Sequence, residues 1–158
     1  MPICKPNELI NLISSSQRLL GLDLGSKTIG ISLSDSQHVV ASPITTIKRS
    51  KFRSDANIII QLILENDIGG LVIGLPKNMD GTEGPRCQST RQFAKSFLEI
   101  HELPITFWDE RLTTAEVERI LIQEADMSRK RRGKIIDKMA AGVILQSFLN
   151  YHKSYSIL

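Results

Sequence analysis

The chain is poor in the residues that staple, ligate and stack. Its two cysteines, Cys4 and Cys87, cannot make a disulfide framework, and neither lies in a C-x-x-C pair or at a Cys/His metal spacing. The three histidines, His38, His101 and His152, stand singly and carry no ligand spacing, so they are assigned no function. Aromatic residues make up 5% of the sequence, too few to line a single-strand groove with stacking platforms. Trp108, at the end of an apolar run, reads as core, with base stacking left open by its place beside Asp109. No apolar run approaches a membrane span, and Met1 to Ser16 has no small-residue cleavage pattern. A cytoplasmic protein with no membrane partner is expected. No internal repeat is visible.

What is present is the ordinary material of one globular domain: 158 residues, 41% hydrophobic and 23% charged. The net charge of +3 is mild, but its distribution is uneven. Lys48, Arg49, Lys51 and Arg53 form one basic cluster; Arg129, Lys130, Arg131, Arg132 and Lys134 form a denser one with no acid inside it. Two such clusters in a chain that also buries acids point to a polyanion partner.

After an extension over residues 1–18, three strand-like runs follow closely, Leu19–Leu24, Thr28–Ser34 and Val39–Ile47, joined by turn signals at Gly25-Ser26 and Ser36-Gln37. They read as an antiparallel meander. Helical spacing then runs from Ser54 to Asn66, a strand from Gly69 to Pro76, a glycine-rich loop to Gly84 and a helix from Pro85 to His101. A further strand spans Pro104–Trp108, and Thr113 with Glu116 forms a capping box that opens a helix to about Ala125. The basic segment Ser128–Gly133 reads as a loop before a last helix, Lys134 to about Tyr151. The expected architecture is α/β: a mixed sheet of five strands, the meander plus parallel strands, with helices on both faces. The expected division is an N-terminal extension (1–18), one domain (19–152) and a C-terminal tail (153–158).

The run LLGLDLGSKTIGISLSD places Asp23 in the middle of an otherwise buried strand, on the face opposite Leu20, Leu22 and Leu24. A carboxylate taken out of water costs several kcal/mol unless cations or hydrogen bonds compensate it. An Asp that only accepts backbone N–H groups from the following turn is the simplest account. The remaining acids argue for more. Asp109-Glu110 closes a parallel strand, where sites form in open α/β sheets. Asp137 shares a helical line with Ala141, Ile144 and Phe148, and so points toward the sheet. The small pair Ala140-Ala141 lets that helix approach. Carboxylates converging from distant segments repel unless cations sit among them, and hard ions with oxygen ligands, Mg²⁺ or Mn²⁺, suit them. Paired ions of this kind promote phosphodiester hydrolysis.

Four motifs in order, GLDLGSKTIGIS, GLPKNMDGTEG, FWDERLTT and IIDKMAA, resemble those of the YqgF family of pre-16S rRNA nucleases, also described as Holliday-junction resolvase homologues. The likeness covers about Leu19 to Leu149. It implies an RNase H-like fold related to RuvC-type resolvases. It further implies that Asp23, Glu110 and Asp137 are catalytic, metal-binding acids. Lys27, Arg111 and Thr113 are matched positions in the same motifs and are expected to contact phosphate, with Thr113 left between that role and its helix cap, and Arg129, Lys130, Arg131, Arg132 and Lys134 match a basic stretch before the third acid. Asp109 is left between a metal ligand and a partner of Arg111. The glycine-rich loop, with Gly74, Pro76, Asp80, Gly81 and Gly84, is left between a turn and a substrate contact. The extension departs from the family, whose chains begin near the first strand.

The implied activity is metal-dependent endonucleolytic cleavage in 5′-end maturation of pre-16S rRNA, with DNA four-way junction resolution as the alternative; monomer and homodimer both stay open. Two rivals have less support. The hairpin DLGSKTIGISLSD also looks like the phosphate-binding hairpin of actin-like ATPases, but those need a second domain that 158 residues cannot supply. A non-catalytic nucleic-acid-binding module has no reason to gather acids at one point.

Overall fold

The computed structural model describes residues 3–111 and 129–157, with the backbone alone for 129–138 and 154–157. The meander is present as β2 (Arg18–Leu24), β3 (Thr28–Ser34) and β4 (Ala41–Lys48). Both pairings are antiparallel, with Leu22 opposite Ile31 and Ile31 opposite Thr45. Helix α1 (Phe52–Glu65) crosses to β5 (Ile68–Leu75), and α2 (Pro85–Ile100) crosses to β6 (Ile105–Asp109). Strands β2, β5 and β6 are mutually parallel, as helical crossovers require. The capping box at Thr113 and the helix expected behind it lie outside the described residues. The last helix, α3, spans Arg129–Ile157.

A sixth strand joins the expected five. Residues Ile3–Cys4 of the extension form β1, which pairs parallel with the outer edge of β6. The sheet order is β1-β6-β5-β2-β3-β4. Without β1, the N–H and C=O groups of β6 would lie open as an edge. Thr106 donates its hydroxyl to the Cys4 carbonyl at 2.9 Å, and Leu9 is fully buried behind the new strand. Two-residue pairings carry almost no periodic signal, which is why the strand is invisible in the sequence.

The alternation in β2 sorts the core as the sequence suggested. Leu20, Leu22 and Leu24 pack with Ile59 and Ile63 of α1 and with Phe93 and Phe97 of α2. Leu19, on the opposite face, packs with Val72, Trp108, Ile144 and Phe148 under α3. Strand β5 lies between these layers with every residue buried, so it reads as a continuous apolar run. Trp108 is core, edge to face with Phe148 and donating its indole N–H to Ser147 Oγ at 3.1 Å.

One expectation is corrected. The segment Arg129–Gly133 is the opening of α3, helical from Arg129 onward. Arg and Lys are good helix formers, and the single glycine at 133 costs only about 1 kcal/mol, so charge alone did not make a loop. Among the described residues no helix is long and apolar enough to cross a membrane.

Candidate functional site

The carboxyl ends of β2, β5 and β6 lie side by side. Leu22 of β2 is in register with Ile73 of β5, so Asp23 stands beside Gly74; Gly74 is in turn opposite Trp108, and Leu75 opposite Asp109. Just past β6, the Glu110 N–H donates to the Leu75 carbonyl at 3.1 Å, turning the chain back over the sheet. The Glu110 side chain then lies across Gly74. A Cβ at position 74 would meet the Glu110 carboxyl and come within 2.6 Å of Ile144 Cδ1. The glycine is therefore the space in which Glu110 lies, next to Asp23.

The electrostatics follow from that placement. Burial pushes the Glu110 carboxyl up to about 8, helped by the adjacent Asp23 charge and a hydrogen bond from Glu110 to Asp23; Arg86 opposes the shift. Two acids share one partly dry site and cannot both ionise cheaply. Asp109 is the contrast. Arg111 grips it through Nε at 2.9 Å and Nη2 at 2.6 Å, and donates its backbone N–H as well. The hydrogen bonds and charge of Arg111 hold the Asp109 carboxyl below the usual range despite partial burial. Of the two adjacent acids, one is neutralised by an arginine and the other faces a second acid.

Helix α3 covers the same face. Ser32 donates to the Ala141 carbonyl at 2.7 Å, and a Cβ at Gly21 would lie 2.9 Å from Leu145 Cβ and 3.2 Å from Ala141 O. The absent side chain at Gly21 and the small Ala141 set this close approach, and Ala141, Ile144 and Phe148 are all buried. Asp137 sits one helical turn before Ala141, as Asp23 sits two strand residues beyond Gly21. Among the residues with described side chains no group of three potential ligands is closed; Asp23 and Glu110 form a pair, and Asp137 lies in the part of α3 described by its backbone alone.

The expected nucleic-acid contacts are distributed around this point. Lys27 is exposed at the tip of the β2–β3 hairpin. Arg111, beyond its grip on Asp109, donates to the Met79 carbonyl at 3.3 Å. It ties the glycine-rich loop to the end of β6. That loop is a self-contained turn, with Asn78 N–H to Thr82 O and Gly81 N–H to Asn78 O, both 2.9 Å, and Gly81 at φ +89°. Arg129, Lys130, Arg131, Arg132 and Lys134 occupy the first turns of α3, and Thr113 lies outside the described residues. Sequence reasoning missed Arg86, whose charge bears on Glu110. Its only signal was its place just after the glycine-rich loop, at the start of α2.

The chain matches the family model described as "RuvX: Holliday junction resolvase" over residues 17–151. It is 52% identical, over 99% of its length and 100% of the relative's, to a protein of Paramagnetospirillum magneticum named "Putative pre-16S rRNA nuclease". A relative of the same name from a Ruegeria species is 54% identical over 84% of the chain and 83% of that protein. Among solved structures, Thermus thermophilus RuvC with a Holliday junction substrate aligns at 11% identity and a TM-score of 0.48, covering 85% of this chain and 95% of that one.

Proposed function

The chain belongs to the RuvX family of Holliday junction resolvases, and from that premise we propose that it is a metal-dependent endonuclease hydrolysing phosphodiester bonds of precursor 16S rRNA during 5′-end maturation. Relatives at about half identity, one of them matched over 99% of the chain, bear a pre-16S rRNA nuclease name. The observation that carries the reading is the Asp23–Glu110 pair: two carboxyl groups held together at the carboxyl ends of parallel strands, one of them pushed up to about 8 by burial and by the other.

Such a pair fits a hard divalent cation, because its donors are all oxygens and its mutual repulsion is relieved by positive charge. Asp23, Glu110 and Asp137 would hold Mg²⁺ or Mn²⁺. When bound, the ion supplies Lewis acidity toward the phosphate and makes water a stronger nucleophile near neutral pH. The remaining roles belong to the chain. Gly74 keeps Glu110 against Asp23. Arg111 holds Asp109 ionised and out of that pair, and anchors the turn at Met79. Lys27 at the hairpin tip, Thr113 and the basic start of α3 are the groups assigned to the phosphate backbone, where cations position the strand without reading its sequence.

The test is cleavage of a labelled precursor 16S rRNA fragment and a DNA four-way junction, each with Mg²⁺, with Mn²⁺ and with chelator, beside Asp23→Asn. Cutting of the RNA that needs the ion and vanishes in Asp23→Asn, with binding retained, is the expected result. Cutting of the junction alone would replace the substrate. Undiminished cutting by Asp23→Asn would remove the acid pair from the chemistry, and binding without cutting by the native protein would make the chain a binding module.

A further inference from the structure

Immediately after Asp23 the chain turns through Gly25 and Ser26, and beside that turn lies a cavity of about 170 Å³. That is roughly the volume of five or six waters, enough for a tetrahedral phosphate group. Its polar lining comes from three separate elements: Ser26 from the hairpin, Arg49 from just beyond β4, and Arg86, Ser89 and Thr90 from the first turns of α2. No acid is among the residues that line it.

The two arginines are held differently. Arg49 is fixed to the hairpin twice: its backbone N–H donates to the Lys27 carbonyl at 2.9 Å and its guanidinium donates to the Gly25 carbonyl at 2.7 Å. That leaves most of its five N–H groups for another acceptor. The Arg86 side chain makes no hydrogen bond or ion pair with any described residue, while its backbone carbonyl accepts from Thr90 Oγ1 at 2.9 Å. Leu24, the residue directly after Asp23, lines the same hollow, so the cavity adjoins the acid pair. An arginine-lined hollow beside two carboxyl groups separates the two needs of phosphodiester chemistry. Cations would sit on the carboxyl groups, and guanidinium groups grip phosphate oxygens with fixed forks.

We propose that the cavity between Arg49 and Arg86 is a phosphate subsite, holding the backbone phosphate of the substrate strand next to the one that is cut. The identity of that phosphate rests on the nuclease reading; the anion preference rests on the cavity alone. It also gives a role to Arg49 in the first basic cluster, which the acid site left unexplained. The second basic cluster, at the start of α3, is a different contact on a different element.

Arg86→Gln is the variant of choice, since it removes a group that makes no described hydrogen bond. Binding of the labelled RNA is measured as a function of salt for the native protein, for Arg86→Gln and Arg86→Lys, and for Lys95→Gln on the exposed face of α2. Arg86→Gln is expected to weaken binding about tenfold and to lower the slope of log affinity against log salt by about one. Arg86→Lys recovers part of the loss, and Lys95→Gln changes little. RNAs carrying one neutral methylphosphonate at successive linkages then locate the contact: at one linkage beside the cut, native binding falls to the Arg86→Gln level and the variant loses nothing more.

Equal losses in Lys95→Gln and Arg86→Gln would reduce the effect to net charge and overturn the subsite, as would the absence of any such linkage. An unchanged affinity in Arg86→Gln, with native cleavage intact, would refute the subsite while leaving the nuclease reading standing. A native protein that cuts nothing yet shows the Arg86 effect would refute the nuclease reading and leave the phosphate subsite.

Discussion

Glu110→Gln isolates the unfavourable part of the acid pair. In the native protein without a cation, burial and Asp23 raise the Glu110 carboxyl from 4.5 to about 8. The folded state therefore keeps a proton that the unfolded chain releases near pH 4.5. Between those values the unfolded state binds fewer protons, so stability falls as pH rises. At about 1.4 kcal/mol per unit over roughly 3.5 units, the fall is at most about 5 kcal/mol, and relaxation and water entry reduce it to a few. The variant has no proton to lose, and its amide still donates to Asp23.

Urea unfolding in chelator at pH 5 and at pH 9 measures this directly. Native protein and Glu110→Gln should be similar at pH 5, and the variant should be a few kcal/mol more stable at pH 9. Saturating Mg²⁺ or Mn²⁺ should close or reverse that gap, since an ion at a hundred times its dissociation constant adds about 2.7 kcal/mol to the state that binds it. Identical pH dependence in chelator for the two proteins would mean that Glu110 is compensated by another group, and the electrostatic case for a cation at this pair would fail.

Gly74→Ala places a methyl group against Glu110 and 2.6 Å from Ile144 Cδ1. It should cost about 1–3 kcal/mol by overpacking and reduce RNA cleavage further than stability alone explains; full activity would show that Glu110 does not need that space. Ser32→Ala removes the 2.7 Å hydrogen bond to the Ala141 carbonyl. It should lower stability by about 1 kcal/mol and reduce turnover with substrate binding kept, while an unaltered turnover would deny α3 a fixed place over Asp23. Replacing Arg129, Lys130, Arg131 and Arg132 by Gln keeps good helix formers and should flatten the salt dependence of RNA binding by about 0.7–0.9 for each phosphate that these side chains neutralise. An unchanged slope would take the start of α3 away from the backbone.

The local order of elements was legible because it is written in periods. Alternation in Leu19–Leu24 assigned its two faces, the unbroken apolar run of β5 announced a strand covered on both sides, and the stripe of Ala141, Ile144 and Phe148 showed which side of α3 lies on the sheet. Asp23 stood out because a carboxylate interrupts that alternation. Where charge replaced periodicity, the reading failed: Arg129–Gly133 has no apolar rhythm, and it is helix. Strand β1 is too short for a period to show.

By itself, then, the sequence determined the order of the five longer strands and of the described helices, the two buried layers and the acid that interrupts β2, since each follows from neighbours along the chain. Only the tertiary structure decided what lies across from what. It laid Glu110 over Gly74 and against Asp23, gave Asp109 to Arg111, and brought Arg49 and Arg86, thirty-seven positions apart, to one cavity. The reason is physical: spacing along a chain encodes which way a side chain points, whereas a pKa near 8 or an anion subsite arises from through-space charge and burial between segments that no local pattern relates.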